Sequence, residues 1–229
     1  MTTVPLVPRK VFFGNPDKAS VQISPDGAHI AYLAPRDGVL NVWVAPRQNP
    51  GAARPITHDK GRGIRFYTWA YTNTHILYIQ DLNGDENWRL FSEDIVSGDS
   101  KDLTPLEGVQ TQFRKISPDH PEEIVIGLNN RVPELHDIYR INIVTGDMTL
   151  LEQNEGFMGF EIDDEFRLRQ AYQMMPDGGL AIFTPDENGD WETWDMIPAE
   201  DSLTTHIVGL DKSGDVLFVR DSRGRNTSV

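Results

Sequence analysis

Three consecutive acidic residues, Asp163, Asp164 and Glu165, are followed closely by Arg167 and Arg169. Carboxylates form charge-assisted hydrogen bonds with ammonium groups, so this triplet could bind the amino terminus of a peptide or line a polar channel. The two arginines support a second interpretation, in which the triplet lies in a solvated turn and pairs locally. We favour the turn and keep the triplet as a candidate substrate-facing site.

A second polar cluster lies next to a predicted strand. Arg131 is followed by Glu134, His136 and Asp137. Such a cluster could line a surface that faces another domain or a substrate, or it could hold a long loop between strands together. We favour the loop, and Arg131, Glu134 and His136 stay candidates for a substrate-facing surface.

The sequence lacks the residues of several enzyme classes. It contains no cysteine, which excludes disulfides, thiolate zinc sites, iron–sulfur clusters and a cysteine nucleophile. The only Gly-x-Ser, at residues 98–100, lacks the second glycine of an α/β-hydrolase nucleophile elbow. No two of the histidines have the i, i+4 spacing of a helical zinc site. We therefore expect no catalytic residue, metal or cofactor in this chain.

Two acidic segments, residues 81–85 and 186–190, place oxygen-bearing side chains at alternate positions, as calcium loops do. The sixth position of such a loop should be glycine, but here it is Glu86 or Trp191. Both segments contain Asn-Gly between strand-like patterns, which is typical of hairpin turns. We interpret them as turns.

The net charge of −14 disfavours nucleic acids and anionic membranes as partners. The apolar runs are a few residues long, far from the roughly 20 residues of a membrane-spanning helix. The first ten residues contain Pro5 and Pro8 and lack the apolar segment of a secretory signal. We expect a cytoplasmic location.

Short segments rich in β-branched and aromatic residues alternate with turn-forming residues along the whole chain. The 19 glycines and 15 prolines are spread over its length, and no long stretch keeps the helical period of 3.6. This pattern predicts an all-β fold of short antiparallel strands joined by tight turns. The clearest strand segments are residues 21–23, 28–33, 41–45, 75–80, 89–95, 123–128, 137–143, 180–184 and 216–220.

A degenerate repeat is superimposed on the strand pattern. Ser-Pro-Asp-Gly at residues 24–27 returns as Ser-Pro-Asp at 117–119, as Pro-Asp-Gly at 176–178 and as Lys-Ser-Gly at 212–214, and Thr72 marks a further copy. Positions 25, 72, 118, 176 and 212 are separated by 47, 46, 58 and 36 residues. Proline and glycine supply the backbone angles of tight turns. A period in the forties with about four strands is typical of β-propeller blades.

The repeat predicts a partial β-propeller of four-stranded antiparallel blades. An N-terminal extension at residues 1–17 precedes the incomplete propeller at 18–229. About four and a half blades fit this length, and so few should not close a ring. Since open sheet edges pair readily, we expect self-association through them. The blade boundaries fall near 18–59, 60–106, 107–154, 155–201 and, for the partial blade, 202–229.

Several segments in order resemble the amino-terminal propeller of prolyl-oligopeptidase-family serine peptidases, in the acylaminoacyl-peptidase and dipeptidyl-aminopeptidase branch. They are residues 24–32, 81–91 and 130–140, and the resemblance covers nearly the whole chain. Ser-Pro-Asp-Gly alone would be less specific, since TolB-like propellers also contain it.

The resemblance implies a two-domain enzyme in which the propeller covers an α/β-hydrolase domain with a Ser, Asp and His triad. The motif of that domain is missing from this sequence, so we expect an inactive fragment. In its parent protein it would gate or select peptides for the hydrolase domain, and in some branches acidic propeller residues bind the ammonium group of the substrate. Its partners would be the hydrolase domain and peptide substrates. A TolB-like propeller that binds proteins or peptides is the alternative, and a sugar lyase is a third.

Overall fold

The computed structural model describes residues 6–13 and 17–225. The predicted extension therefore lies partly outside the described residues, as does the end of the partial blade at 226–229. Within the extension, α1 (Arg9–Phe13) is a five-residue helix. A single 3-10 turn, Pro50–Ala52, precedes the fourth strand. No helix in the described part of the chain has the length and hydrophobicity that a bilayer crossing needs.

The remaining elements are strands, which form five antiparallel sheets. Sheet 1 contains β1 (Ala19–Ile23), β2 (His29–Arg36), β3 (Val39–Pro46) and β4 (Arg54–Pro55). Sheet 2 contains β5 (Phe66–Trp69), β6 (His75–Gln80), β7 (Arg89–Asp94) and β8 (Ser100–Asp102). Sheet 3 contains β9 (Thr111–Ile116), β10 (Glu123–Val132), β11 (Leu135–Asn142) and β12 (Met148–Glu152). Sheet 4 contains β13 (Gly159–Ile162), β14 (Leu168–Met174), β15 (Leu180–Pro185) and β16 (Trp191–Ile197), and sheet 5 contains β17 (His206–Leu210) and β18 (Leu217–Arg220).

Within every sheet, strands that are adjacent in sequence are also adjacent in space. Four sheets have four strands, and the last has two among the described residues. The structure confirms the predicted all-β fold of four-stranded antiparallel blades.

The first Ser-Pro-Asp-Gly closes the turn between β1 and β2. The carboxylate of Asp26 accepts hydrogen bonds from the hydroxyl of Ser24 (2.6 Å) and the amide of Ala28 (2.9 Å). These two contacts hold the pKa of Asp26 below its ordinary value. Gly27 has a φ of +71°, a conformation that L side chains rarely adopt. The motif occurs here because the turn requires both the proline and the glycine.

The predicted equivalence of the fourth turn marker, Pro176, is wrong. Pro-Asp-Gly at 176–178 joins β14 to β15, the second and third strands of sheet 4, whereas the other markers join first and second strands. The equivalent turn of sheet 4 follows Ile162 and contains neither proline nor glycine. The first strands of the five sheets end at Ile23, Trp69, Ile116, Ile162 and Leu210, with spacings of 46, 47, 46 and 48 residues. The spacing of the strands is therefore more regular than the spacing of the Pro-Asp-Gly motif. The motif can occupy any tight turn, so it does not always mark the same place in a sheet.

Three apolar clusters fill the spaces between successive sheets. The cluster between sheets 1 and 2 includes Val42, Tyr67 and Ile76. The second cluster lies between sheets 2 and 3. The third cluster lies between sheets 3 and 4 and contains Phe160 and Phe166. Side chains of one strand alternate between its two faces, so a sheet that packs on both sides needs apolar residues at nearly every central position.

Turns and loops lie at two opposite ends of this stack, because antiparallel strands reverse direction at each connection. We call the end with the turns between first and second strands the turn end, where Lys115 of sheet 3 pairs with Asp164 of sheet 4 at 2.9 Å. The hairpin end carries the β2–β3, β6–β7 and β10–β11 hairpins and the segments that join successive sheets. There Arg131 of the β10–β11 hairpin donates to the carbonyl of Asn154 (2.6 Å) in the segment between sheets 3 and 4.

The outermost sheets expose apolar side chains. Val21 and Ile23 of β1 are 62% and 60% exposed, and Val208 and Phe218 of sheet 5 are 66% and 54% exposed. Apolar strand residues at an open edge invite pairing with another chain.

We predict that the isolated 229-residue chain self-associates through these surfaces. Light scattering should give a mass above 25.9 kDa that rises with concentration. A Val208→Lys, Phe218→Lys double variant should reduce the association, because lysines resist edge pairing and desolvation. A wild-type chain that stays monomeric at high concentration would contradict the prediction.

Candidate functional site

At the hairpin end, Arg131 binds structural groups of its own chain. Its guanidinium donates two hydrogen bonds of 3.0 Å to the carboxylate of Asp137. Asp137 also accepts from the backbone amide of Asn154 at 2.8 Å. Burial alone would raise the pKa of Asp137, but the hydrogen bonds from Arg131 and Asn154 lower it below its ordinary value. The group joins the β10–β11 hairpin to the segment that leads into sheet 4. The predicted long loop is absent, because β10 ends at Val132 and β11 begins at Leu135, so Arg131 and Asp137 lie in strands.

His136 is the second residue of β11 and packs beside Arg114 of β9. The Nε of Arg114 and the Nε2 of His136 are buried, with no hydrogen-bond partner among the described residues. A Cβ at Gly127 would lie 3.1 Å from the Cβ of His136 and 3.3 Å from Nε of Arg114, so a larger residue would require these side chains to move by a few tenths of an ångström. Burial lowers the pKa of His136, and the charge of Arg114 lowers it further. Both effects favour the neutral imidazole.

Glu134 lies exposed at the tip of the β10–β11 hairpin, where Val132 pairs with Leu135. Arg131, Glu134 and His136 thus belong to one hairpin at one end of the stack. Their predicted role in facing a substrate stays a prediction.

Asp163 lies in the first turn of sheet 4, at the turn end. Its side chain is only 2% exposed and accepts hydrogen bonds from the amides of Glu165 (3.0 Å) and Arg167 (2.9 Å). The Nε of Arg167 also donates to it at 2.9 Å. The expectation of a solvated turn with local arginine pairing is therefore correct for the turn and the pairing, but wrong for the solvation of Asp163. This carboxylate takes the place that the proline and glycine have in the first turn of sheet 1.

Asp164 and Glu165 point towards sheet 3 and pair with cationic or protonatable groups there. Lys115 binds Asp164 at 2.9 Å, and the Nε2 of His120 lies 3.4 Å from Glu165. The imidazole of His120 also stacks on Phe166, with ring centroids 4.9 Å apart. Both acidic residues therefore connect neighbouring sheets. The structure places this triplet at the end opposite the Arg131 hairpin, so the six predicted residues do not form one site.

The two calcium-like segments are hairpin turns. Asn83 and Gly84 both have positive φ values, 57° and 86°, between β6 and β7. In the β15–β16 hairpin, the carboxylate of Asp186 accepts from the amides of Asn188 (2.7 Å) and Asp190 (2.9 Å). The described residues contain no group of three or more His, Asp or Glu side chains arranged to hold a metal ion.

A concave surface with charged residues lies between sheets 1 and 2. A groove of about 330 Å³ is lined by Ile56, Asp59, Tyr78, Glu93 and other residues. An adjoining cleft of about 240 Å³ shares Asp59 and Gln80 with it. β4 contains only two residues, so it leaves the outer part of the facing sheet uncovered. We call the larger space the inter-sheet groove.

Glu93 is an acidic residue in an otherwise apolar position. It is 5% exposed and lies on β7, directly opposite Ile76 of β6 and Ser100 of β8. Burial raises the pKa of Glu93 to about 7, although a hydrogen bond with Ser100 and the charge of Arg54 oppose this effect. Burial likewise raises the pKa of Tyr78, to about 12.

The sequence analysis missed Glu93 because its strand reads as ordinary alternation. Comparison of the sheets supplies the missing signal. The pairs His29–Pro46, His75–Asp94 and Glu123–Asn142 occupy the same place in sheets 1, 2 and 3. Ala45 and Ile141 therefore correspond to Glu93, and both are fully buried. An acid that replaces two apolar residues of a repeat indicates a special position.

The fold and the order of its sheets define a propeller segment, and comparisons with known proteins specify which kind. No protein-family model matches the chain. Dipeptidyl aminopeptidase BIII of Pseudoxanthomonas mexicana is 45% identical over 225 residues, which are 98% of this chain and 33% of that protein. Dipeptidyl peptidase family member 6 of Caenorhabditis elegans is 28% identical over 94% of this chain and 31% of its own length. The chain thus spans about a third of the length of these curated relatives.

Solved structures share the fold at low sequence identity. The β-propeller domain of the Trilobed protease from Pyrococcus furiosus matches with a TM-score of 0.51 and 17% identity, over 89% of this chain and 65% of that one. Acylaminoacyl peptidase of Pyrococcus horikoshii matches with a TM-score of 0.53 and 15% identity, over 93% of this chain and 38% of that one. TolB of Acinetobacter baumannii matches with a TM-score of 0.51 and 18% identity, over 79% of this chain and 43% of that one. The chain therefore has a propeller fold and is similar over nearly its whole length to a segment of a dipeptidyl aminopeptidase, which confirms the resemblance seen in the sequence.

We predict that Asp137→Ala destabilises the chain by about 2 kcal/mol, because it leaves Arg131 and the amide of Asn154 without their acceptor. Urea denaturation at neutral pH measures the loss. Glu107→Ala, an exposed control, should change the free energy of unfolding by less than about 0.5 kcal/mol. The pKa of Asp137 is lowered in the folded state, so its contribution should disappear as the pH falls below the ordinary range of an aspartate. A pH-independent difference would contradict this account.

We predict that Glu93→Gln stabilises the fold by about 2 kcal/mol at pH 8 and has little effect at pH 5. The pKa of Glu93 is raised to about 7 in the folded chain, so folding favours the protonated acid and stability falls as the pH rises through that value. Glutamine removes the ionisation at nearly constant shape. Denaturant titrations of wild type, Glu93→Gln and Glu107→Gln at both pH values provide the check. An equal difference at the two pH values would show that Glu93 does not ionise in this way.

Proposed function

We propose that the chain belongs to a dipeptidyl- or acylaminoacyl-type serine peptidase and that it gates or selects peptides for the hydrolase domain of that enzyme. The observation that carries the proposal is the 45% identity with dipeptidyl aminopeptidase BIII over 98% of the chain. Because the chain covers only a third of that relative, the activity, the peptide substrates and the hydrolase partner are proposed for the whole protein.

The structure suggests how such a segment would act. Its sheets form a rigid stack, and its loops gather at two ends whose charged groups are largely paired within the chain. A scaffold of this kind restricts access by shape, while loop residues such as Glu134 contact what enters. The substrate-facing roles of Arg131, Glu134, His136, Asp163, Asp164 and Glu165 remain predictions, and so does the cytoplasmic location, which cell fractionation would check.

Antibodies raised against this chain should precipitate, from the cells that produce it, a polypeptide that reacts with a fluorophosphonate probe for catalytic serines. We expect this polypeptide to be roughly three times as long as the chain and to hydrolyse dipeptidyl or acylaminoacyl nitroanilides. The purified 229-residue chain is the matched control and should neither react nor hydrolyse, since it lacks Gly-x-Ser-x-Gly.

A precipitated polypeptide that neither reacts nor hydrolyses would overturn the peptidase proposal. A protein or peptide co-precipitated in its place would favour the alternative, a binding scaffold like TolB, whose propeller shares the fold. Hydrolysis by the purified chain itself would also contradict us, because it would place a catalytic centre within the propeller.

A further inference from the structure

The inter-sheet groove between sheets 1 and 2 is not explained by the packing of the propeller. Elsewhere, the apolar face of one sheet is covered by the next. Here the outer strand β4 consists of Arg54 and Pro55 and pairs only with Trp43 and Val44 of β3. The missing length leaves an open space of about 330 Å³, several times the roughly 30 Å³ that one water occupies.

Glu93 lines this space without a counter-ion. Its carboxylate takes part in no ion pair within the described ranges, although the residue is 5% exposed. The hydroxyl of Ser100 is its polar neighbour on β8. A buried acid without a cationic partner costs free energy, so a position with this property points to a ligand.

The charges around Glu93 are predominantly negative. Asp94 and Asp99 raise the pKa of Glu93, and Asp59 lines the same groove. The nearest cation is Arg54, which donates to the backbone carbonyl of Ile95 rather than to Glu93. Three other cations near the groove are already engaged. Arg62 pairs with Asp81, Arg89 with Asp102, and Arg36 contacts His58. The local field therefore favours a positively charged ligand.

The walls suit the stem of a basic side chain. Ile56 and Ile64 border the groove with side chains that are almost fully buried, and Tyr78 contributes an aromatic ring that stacks on Phe91 with centroids 5.1 Å apart. Aromatic faces attract cations, and methylene groups of lysine and arginine pack well on apolar walls.

We propose that the inter-sheet groove binds one organic cation, the ammonium or guanidinium group of a lysine or arginine side chain, through the carboxylate of Glu93. The carboxylate accepts the charged hydrogen bonds, Asp59 adds negative potential, and Tyr78 supports the stem. This site lies in sheets 1 and 2, away from the Arg131 hairpin and from the acidic triplet of sheet 4.

The test uses the 229-residue chain and two probes, one of which carries the cation on a peptide side chain and the other on a free small molecule. Acetyl-glycyl-arginyl-glycine amide represents a peptide side chain, and agmatine represents a free small amine. Isothermal titration at pH 8 should show saturable binding of the peptide, and acetyl-glycyl-citrullyl-glycine amide, which lacks the charge, should not bind. Stronger binding of agmatine than of the peptide would identify a free amine as the natural form of the ligand.

Glu93→Gln should weaken binding at least tenfold, whereas Glu107→Gln should leave it unchanged. The pKa of Glu93, about 7, supplies a second readout, because the cation binds the ionised acid. Binding by the wild type should weaken about tenfold between pH 8 and pH 6, and this pH dependence should vanish in Glu93→Gln. Asp59, Asp94, Asp99, His58 and Arg54 surround the acid and are unchanged in that variant, so they serve as internal controls.

Thermal unfolding of Glu93→Gln verifies that the variant is folded. Absence of saturable binding by either probe would overturn the proposal, as would equal binding by wild type and Glu93→Gln. Because no hydrolysis is measured, these outcomes are separate from the fate of the proposed peptidase function.

Discussion

The central strands of each sheet have two faces to cover, and only a neighbouring sheet can cover them. This constraint determines the composition of the strands and the arrangement of the chain. Three apolar clusters fill the spaces between the first four sheets, so each sheet is stabilised by its neighbours as well as by its own hydrogen bonds. A polar group within such a space must find a partner inside it, and Glu93 illustrates the alternative, an acid whose pKa burial raises to about 7.

At the ends of the stack, polar residues form hydrogen bonds that hold the segments between sheets in place. Thr57 and Thr104 accept hydrogen bonds of 2.9 Å from the third strands of their own sheets, and Asp137 accepts one of 2.8 Å from the segment that follows sheet 3. Each contact fixes the chain where it leaves one sheet for the next. Many charged side chains that look available in the sequence are therefore committed to the scaffold, which limits what remains for recognition.

Period-two patterns and turn residues act locally, so the sequence was sufficient to predict the sheet type and half of the strands, but strands such as β9, β13 and β14 were not identified. It was insufficient for the register of the repeat in sheet 4, where the side chain of Asp163 builds the first turn without a Pro-Asp-Gly motif. The candidate residues were identified by charge and proximity in sequence, and the pairing of Lys115 with Asp164 depends on two sheets meeting. Contacts of this kind follow from the packing of distant segments and have no local signature. Glu93 lies between these two cases. Its own strand gives no signal, but an alignment of the repeats shows an acid where the other sheets have apolar residues.

The nearest-neighbour pairing of strands has a consequence for synthesis. Every strand pairs only with strands next to it in sequence, so one sheet is complete after some forty residues have left the ribosome. A single sheet still exposes both faces, and it gains most of its stability when the following one docks. The growing polypeptide should thus acquire order in steps, and the exposed surface that chaperones recognise should always be on the most recently made sheet.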